Sequence, residues 1–168
     1  MIFRSVLVAL LLLAVAGAAF AALPARLTLD GVGGVTPGMR EAAVERRWGL
    51  ELELSTAFGS QCAPAIVSVG SMRGHAIFLN ARFGALFLRR GAVTGKGIRI
   101  GSTLAELKRA YGTALSSRAN KYTPGARDFF VRRVRKPRWQ LRFDVSPRGR
   151  IVQIAFGNDA VRLVEGCA

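Results

Sequence analysis

The sequence predicts an α+β fold: two tandem modules, each a short helix followed by an antiparallel β-sheet. Three observations carry this. The stretch GVTPGMREAAVERRWG (34–49) aligns without a gap on GIRIGSTLAELKRAYG (97–112), at an offset of 63 from Gly34 to Gly97. Each copy has apolar residues at helical spacing, closed by a glycine. After each copy come short runs rich in β-branched and aromatic residues, separated by turn-forming residues.

In the repeat, Gly38 meets Gly101, Ala42 meets Ala105, Arg46 meets Arg109 and Gly49 meets Gly112. Val35, Val44 and Trp48 meet Ile98, Leu107 and Tyr111. One ungapped register of identities and like residues is the signature of an internal repeat. In the second copy, Leu104, Leu107 and Tyr111 fall on one helical face. Thr103 and Glu106 there form a T-x-x-E capping box, and Gly112 takes the C′ position. In the first copy Val44 and Trp48 are four apart, but Arg40 replaces Thr103, so that helix lacks a hydroxyl cap. Trp48 and Tyr111 are expected to be equivalent and buried.

Strands are expected at 65–72, 75–80 and 84–90 in the first half, and at 128–134, 138–145 and 150–157 in the second. LELEL (50–54) reads as a further short strand with Glu51 and Glu53 turned to solvent. Trp139, Leu141, Phe143 and Val145 alternate with Gln140, Arg142 and Asp144, which places the first set inward and the second on a solvated face. RVRKPR becomes the tip of a hairpin with Pro137 at its turn, and SPRG (146–149) a tight turn.

The first 21 residues read as a signal peptide: Arg4, an apolar run, then Ala19-Phe20-Ala21 as an A-x-A cleavage site. An uncleaved N-terminal membrane anchor is the alternative, because 5–23 is long enough to span a bilayer. Either way the body, 22–168, is expected outside the cytoplasm, secreted or in the cell envelope. It divides into repeat modules 27–95 and 96–168. Cys62 and Cys167 are the only cysteines. In an oxidising compartment a lone pair reads as one disulfide, and a loop of about 100 residues closed this way stabilises by up to about 4.7 kcal/mol.

The net charge is +15, with 25 Lys and Arg against 10 Asp and Glu. Segment 121–150 carries ten of the basic residues and only Asp128 and Asp144 as acids. Such a surplus raises affinity for polyanions without specifying one. Arg132, Arg133, Arg135, Lys136 and Arg138 are the candidate contacts with an anionic envelope polymer or lipid head groups; a largely solvated sheet face or genome composition explains the same charge. Nucleic acid is disfavoured by export and by the lack of any recognition module in the sequence.

Little in the sequence points to catalysis. His75 is the one histidine, and no G-x-S-x-G elbow accompanies it to expose a nucleophilic serine. Glu51 and Glu53 imitate a carboxylate pair but sit where surface charges are expected. GVGG (31–34) lacks the spacing of a nucleotide loop, and no cluster has metal-ligand spacing. The sequence therefore points to a non-catalytic binding protein without cofactor. A polyanion or anionic-surface binder using 121–150 is the alternative, and a hydrolase built on His75 ranks last.

The repeat also resembles a known helix-start motif. Gly38, Val44 and Trp48, then Gly101, Thr103, Leu107 and Tyr111, with Val35, Met39 and Ile98 beside them, are similar to the tandem repeat of beta-lactamase-inhibitory-protein-like domains. They are also similar to the single-copy version in small outer-membrane assembly lipoproteins of the SmpA/OmlA type. The ending LVEGCA and the segment KYTPG resemble uncharacterised secreted bacterial proteins of similar length. The resemblance implies two tandem helix-and-sheet modules and a protein partner, of unknown identity, held on an exposed sheet surface. The chain departs from the inhibitors in lacking a disulfide within each module and in having few Tyr and Trp.

Overall fold

The computed structural model describes residues 26–59, 61–135, 139–163 and 167. The signal peptide read at 1–21, and Lys136, Pro137 and Arg138 at the hairpin tip, lie outside the described residues.

Both expected helices form. Helix α1 is Glu41–Trp48 and α2 is Leu104–Tyr111, at the offset of the sequence repeat. In α2 the Thr103 hydroxyl accepts from the Glu106 N–H at 3.1 Å, and Glu106 Oε2 accepts from the Thr103 N–H at 2.6 Å. In α1 the Arg40 side chain makes no cap bond, as its lack of a hydroxyl predicts. Gly49 ends α1 at φ 66°, a left-handed turn that costs glycine no Cβ clash. Val44 and Leu107 are fully buried and Trp48 nearly so, while Tyr111 is half-buried.

The strands after both helices share one sheet. Strands β2 (Cys62–Val69), β3 (Met72–Leu79) and β4 (Arg82–Arg90) form one meander. Strands β6 (Leu115–Ala119), β7 (Arg127–Arg132), β8 (Gln140–Val145) and β9 (Ile151–Gly157) form another. Antiparallel pairing of β4 with β9 joins them in the order β2-β3-β4-β9-β8-β7-β6. A short parallel pair, β1 (Arg26–Leu27) with β5 (Val93–Thr94), ties the chain before α1 to the chain before α2. Gly74 lets β3 and β4 approach, since a Cβ there would meet the Phe87 carbonyl.

Both helices cover the same face of the sheet. Trp48 packs edge-on to Phe83 at 5.7 Å and Tyr111 against Phe143 at 5.4 Å. Between the layers lie Val67, Phe78, Leu86, Phe129, Leu141 and Phe156. The alternation of strand residues specifies this face correctly, because one apolar residue in two points the same way.

Three expectations need correction. LELEL is not a strand: its leucines turn inward and Glu51 and Glu53 outward, but no neighbouring strand pairs with it. Glu45 instead accepts the Leu52 N–H at 2.8 Å. LSSRA, which lacks an apolar alternation, is the edge strand β6. The face of β8 expected to be solvated is covered: Gln140 and Arg142 are 1% and 3% exposed. A four-residue 3-10 turn, Asp159–Arg162, lies over it, with a second small core of Ile77, Ala85, Phe87, Ala160 and Val161.

Candidate functional site

The second face of the sheet, opposite the helices, carries the candidate functional groups. Strand register places Ile66, His75, Phe87, Ala155, Arg142, Phe130 and Ser116 in one row across all seven strands. The row begins exposed at Ile66, passes under the 3-10 turn, and emerges at Ser116.

At the centre sits a buried ionic network. Arg142 Nε donates to Asp144 at 2.6 Å, its Nη2 to the other oxygen at 3.1 Å, and its Nη1 to the Val161 carbonyl at 3.0 Å. Asp128, fully buried on β7, accepts from Asn120 Nδ2 at 2.7 Å and Arg118 Nε at 3.1 Å, with Arg142 Nη2 at 3.5 Å. Burial pushes the Asp144 carboxyl above the usual carboxylate range; Arg142 opposes this, and the Asp128 charge beside it adds to it. Gln140 bridges Asp159 and Arg162, closing the network onto the 3-10 turn. Sequence periodicity shows that β8 has two faces, but it does not show what covers the second.

The C-terminus is held on this face by the expected disulfide. Cys62 and Cys167 are bonded, with Cα atoms 5.4 Å apart and 105 positions apart in sequence. Both pack against the small second core.

Beside the network two adjoining clefts, of about 350 and 220 Å³, share Arg89, Asn120, Thr123, Asp144 and Gln153 as walls. His75 and Phe87 floor the smaller, with rings stacked at 4.9 Å and 8° between planes. Burial, then the Arg89 charge, holds the His75 imidazole below its ordinary value. Among the described residues, no hydrogen bond joins His75 to an aspartate or a serine. Tyr122 and Leu163 edge this cleft and Val152 the other. These three and Ile66 are four of the six large hydrophobic side chains exposed on the described surface.

Of the basic residues singled out in sequence, the three described ones have different surroundings. Arg133 pairs with Asp30 at 3.0 Å and lies over Trp139. Arg135 is exposed. Arg132 turns instead toward Arg118 and Arg162, from the edge strand and the 3-10 turn, in a third cleft of about 540 Å³. Sequence reasoning misses this grouping because its members come from three separate segments, two of them without a recognisable period.

No family model matches the sequence, and no curated protein matches it. Among solved structures, the chain is distantly similar to a cysteine-rich secretory protein from Staphylococcus aureus subsp. aureus Mu50. The TM-score is 0.46 and the identity 8%, over 76% of this chain and 46% of that one. This chain thus spans less than half the length of that neighbour. Among the described residues, no helix is long and apolar enough to cross a membrane.

Proposed function

We propose that the protein is a non-catalytic binding protein, exported to the envelope or beyond, that holds a protein partner on the second face of its sheet. One observation carries the reading: Tyr122, Val152 and Leu163 stand exposed around the same pair of clefts, with Arg89 lining both, and Ile66 is exposed on the neighbouring strand opposite His75. Exposed apolar side chains gathered in one place mark interaction surfaces, whereas singly scattered ones do not. An apolar centre bordered by a guanidinium fits a partner surface that is apolar with an acidic rim.

Export is supported by the leader at 1–21 and by a disulfide, which persists in oxidising compartments. The tandem-module reading is supported by two eight-residue helices at the repeat offset, both covering one face of one sheet.

The test is capture from an envelope fraction with the purified oxidised chain, beside Ile66→Ser and Tyr122→Ser variants. The same partner band should appear with the parent chain, persist at high salt, and be lost from both variants. Apolar burial is insensitive to screening, so a band that salt removes, or that the variants retain, contradicts the reading.

A further inference from the structure

We infer that the cleft between β6, β7 and the 3-10 turn binds a phosphate group, gripped by Arg118, Arg132 and Arg162 above the ring of Phe130. The site lies at the opposite edge of the sheet from Ile66 and does not depend on the protein-partner reading. Among the described residues, three arginines and no carboxylate line the cleft, which has a volume of about 540 Å³. The guanidinium carbons of Arg118 and Arg162 lie 5.1 and 4.7 Å from the Phe130 ring centroid. That stacking fixes two planar forks before any ligand arrives, which lowers the ordering cost of binding.

Among the described residues, no carboxylate is free to neutralise the positive charge here. Asp128, beneath the cleft, is fully buried and already shared among Arg118, Arg142 and Asn120. Asp159 reaches Arg162 only at 4.0 Å, with its own side chain 80% exposed. Arg132 has no ion pair among the described residues. The Arg162 guanidinium is accordingly held below its ordinary value, first by burial and then by the charges of Arg132 and Arg118. An anion entering the cleft relieves that repulsion.

The chemistry favours a tetrahedral oxyanion over a carboxylate. Three guanidinium forks offer more donors than the two oxygens of a carboxylate accept, whereas a phosphate monoester presents three oxygens and about −1.5 to −2 charge. The Ser116 hydroxyl on the cleft wall supplies another donor. Free phosphate and the phosphate monoester head group of phosphatidic acid share this chemistry.

The test uses the purified oxidised chain with inorganic phosphate, with acetate, and with vesicles of phosphatidic acid and phosphatidylcholine (1:1) against phosphatidylcholine alone. Arginine Nε–H resonances report binding of the small ions, and co-sedimentation reports vesicles. Phosphate should shift the signals of Arg118, Arg132 and Arg162 saturably, and acetate should not. Arg132→Gln should weaken phosphate binding by about tenfold or more, the order expected for one charge-assisted bond. Arg46→Gln, an equal change of charge on the exposed side of α1, should leave it within about twofold. Arg132→Lys keeps the charge without the fork and serves if the Gln variant does not fold; it should still bind several-fold more weakly. Anionic vesicles that bind in competition with phosphate identify a head group as the ligand; phosphate binding without vesicle binding identifies a soluble one. Unsaturable phosphate shifts, equal binding of acetate, or equal weakening by the Arg132 and Arg46 variants overturns the site.

Discussion

Replacing Arg142 by Met tests whether the buried network holds the fold. The guanidinium is 3% exposed and makes two bonds to Asp144 at 2.6 and 3.1 Å and one to the Val161 carbonyl at 3.0 Å. Met fills much of the same space but donates nothing. Asp144 loses its partner, the 3-10 turn loses a tether, and Asp128 keeps only Arg118 and Asn120. Breaking a buried pair from one side leaves an uncompensated charge and costs about 3–5 kcal/mol. A domain of this size has about 5–15 kcal/mol in total, so the variant should be folded but visibly weakened. Urea unfolding followed by circular dichroism gives the difference, with the midpoint falling and the slope unchanged. Arg132→Gln, on the neighbouring strand but exposed, should stay within about 0.5 kcal/mol of the parent. If Arg142→Met costs less than about 1 kcal/mol, or no more than Arg132→Gln, the network does not hold the turn in place and the structural reading of Arg142 fails.

Three further outcomes follow from the structure. Replacing Cys62 and Cys167 by Ser should lower stability by up to about 4.7 kcal/mol, the loop-entropy figure for a closed loop of about 100 residues; non-reducing peptide mapping of the parent should find the linked pair, and two freely alkylated thiols would contradict it. His75 is held below its ordinary value of 6.5 in the fold, so the unfolded chain takes up the proton first; its share of stability is full above pH 6.5 and is lost as pH falls through the folded value, and His75→Gln should flatten that part of a urea-midpoint profile between pH 8 and 5. Thr103→Ala removes the hydroxyl half of the α2 capping box, leaving the backbone N–H of residue 103 on Glu106, and should cost about 1 kcal/mol, while Arg40→Ser adds the missing hydroxyl to α1 and should raise the thermal midpoint; a reversed sign in either would show that the caps do not limit these helices.

The parts legible in the sequence are those with a local rule. The helix caps follow from Thr103, Glu106 and the closing glycines. The helix-facing side of each strand follows from alternation, because Leu141 and Phe143 can share a face only at period 2. The cysteine pairing follows from there being two. What was not legible depends on partners far away in the chain. LSSRA joins the sheet only because β7 offers it an edge, and its own residues show no strand pattern. Arg142 reads as a surface residue until Asp159–Arg162 covers it, and a four-residue turn has no period to announce itself.

The basic segment shows how composition divides once the fold is known. Arg132 and Arg142 lie ten residues apart in the same charge-rich run, on adjacent strands with side chains on the same face. Arg142 meets Asp144, Asp128 and the Val161 carbonyl, and its charge is spent inside the protein. Arg132 stands one strand nearer the edge, where Asp128 is already shared and Arg118 and Arg162 line the same cleft. The same residue type is therefore structural at one position and available to a ligand at the next. Net charge alone predicts equal loss of anion affinity for either residue. The network predicts loss of folding for one and loss of binding for the other, and measuring both properties on both variants separates the two accounts.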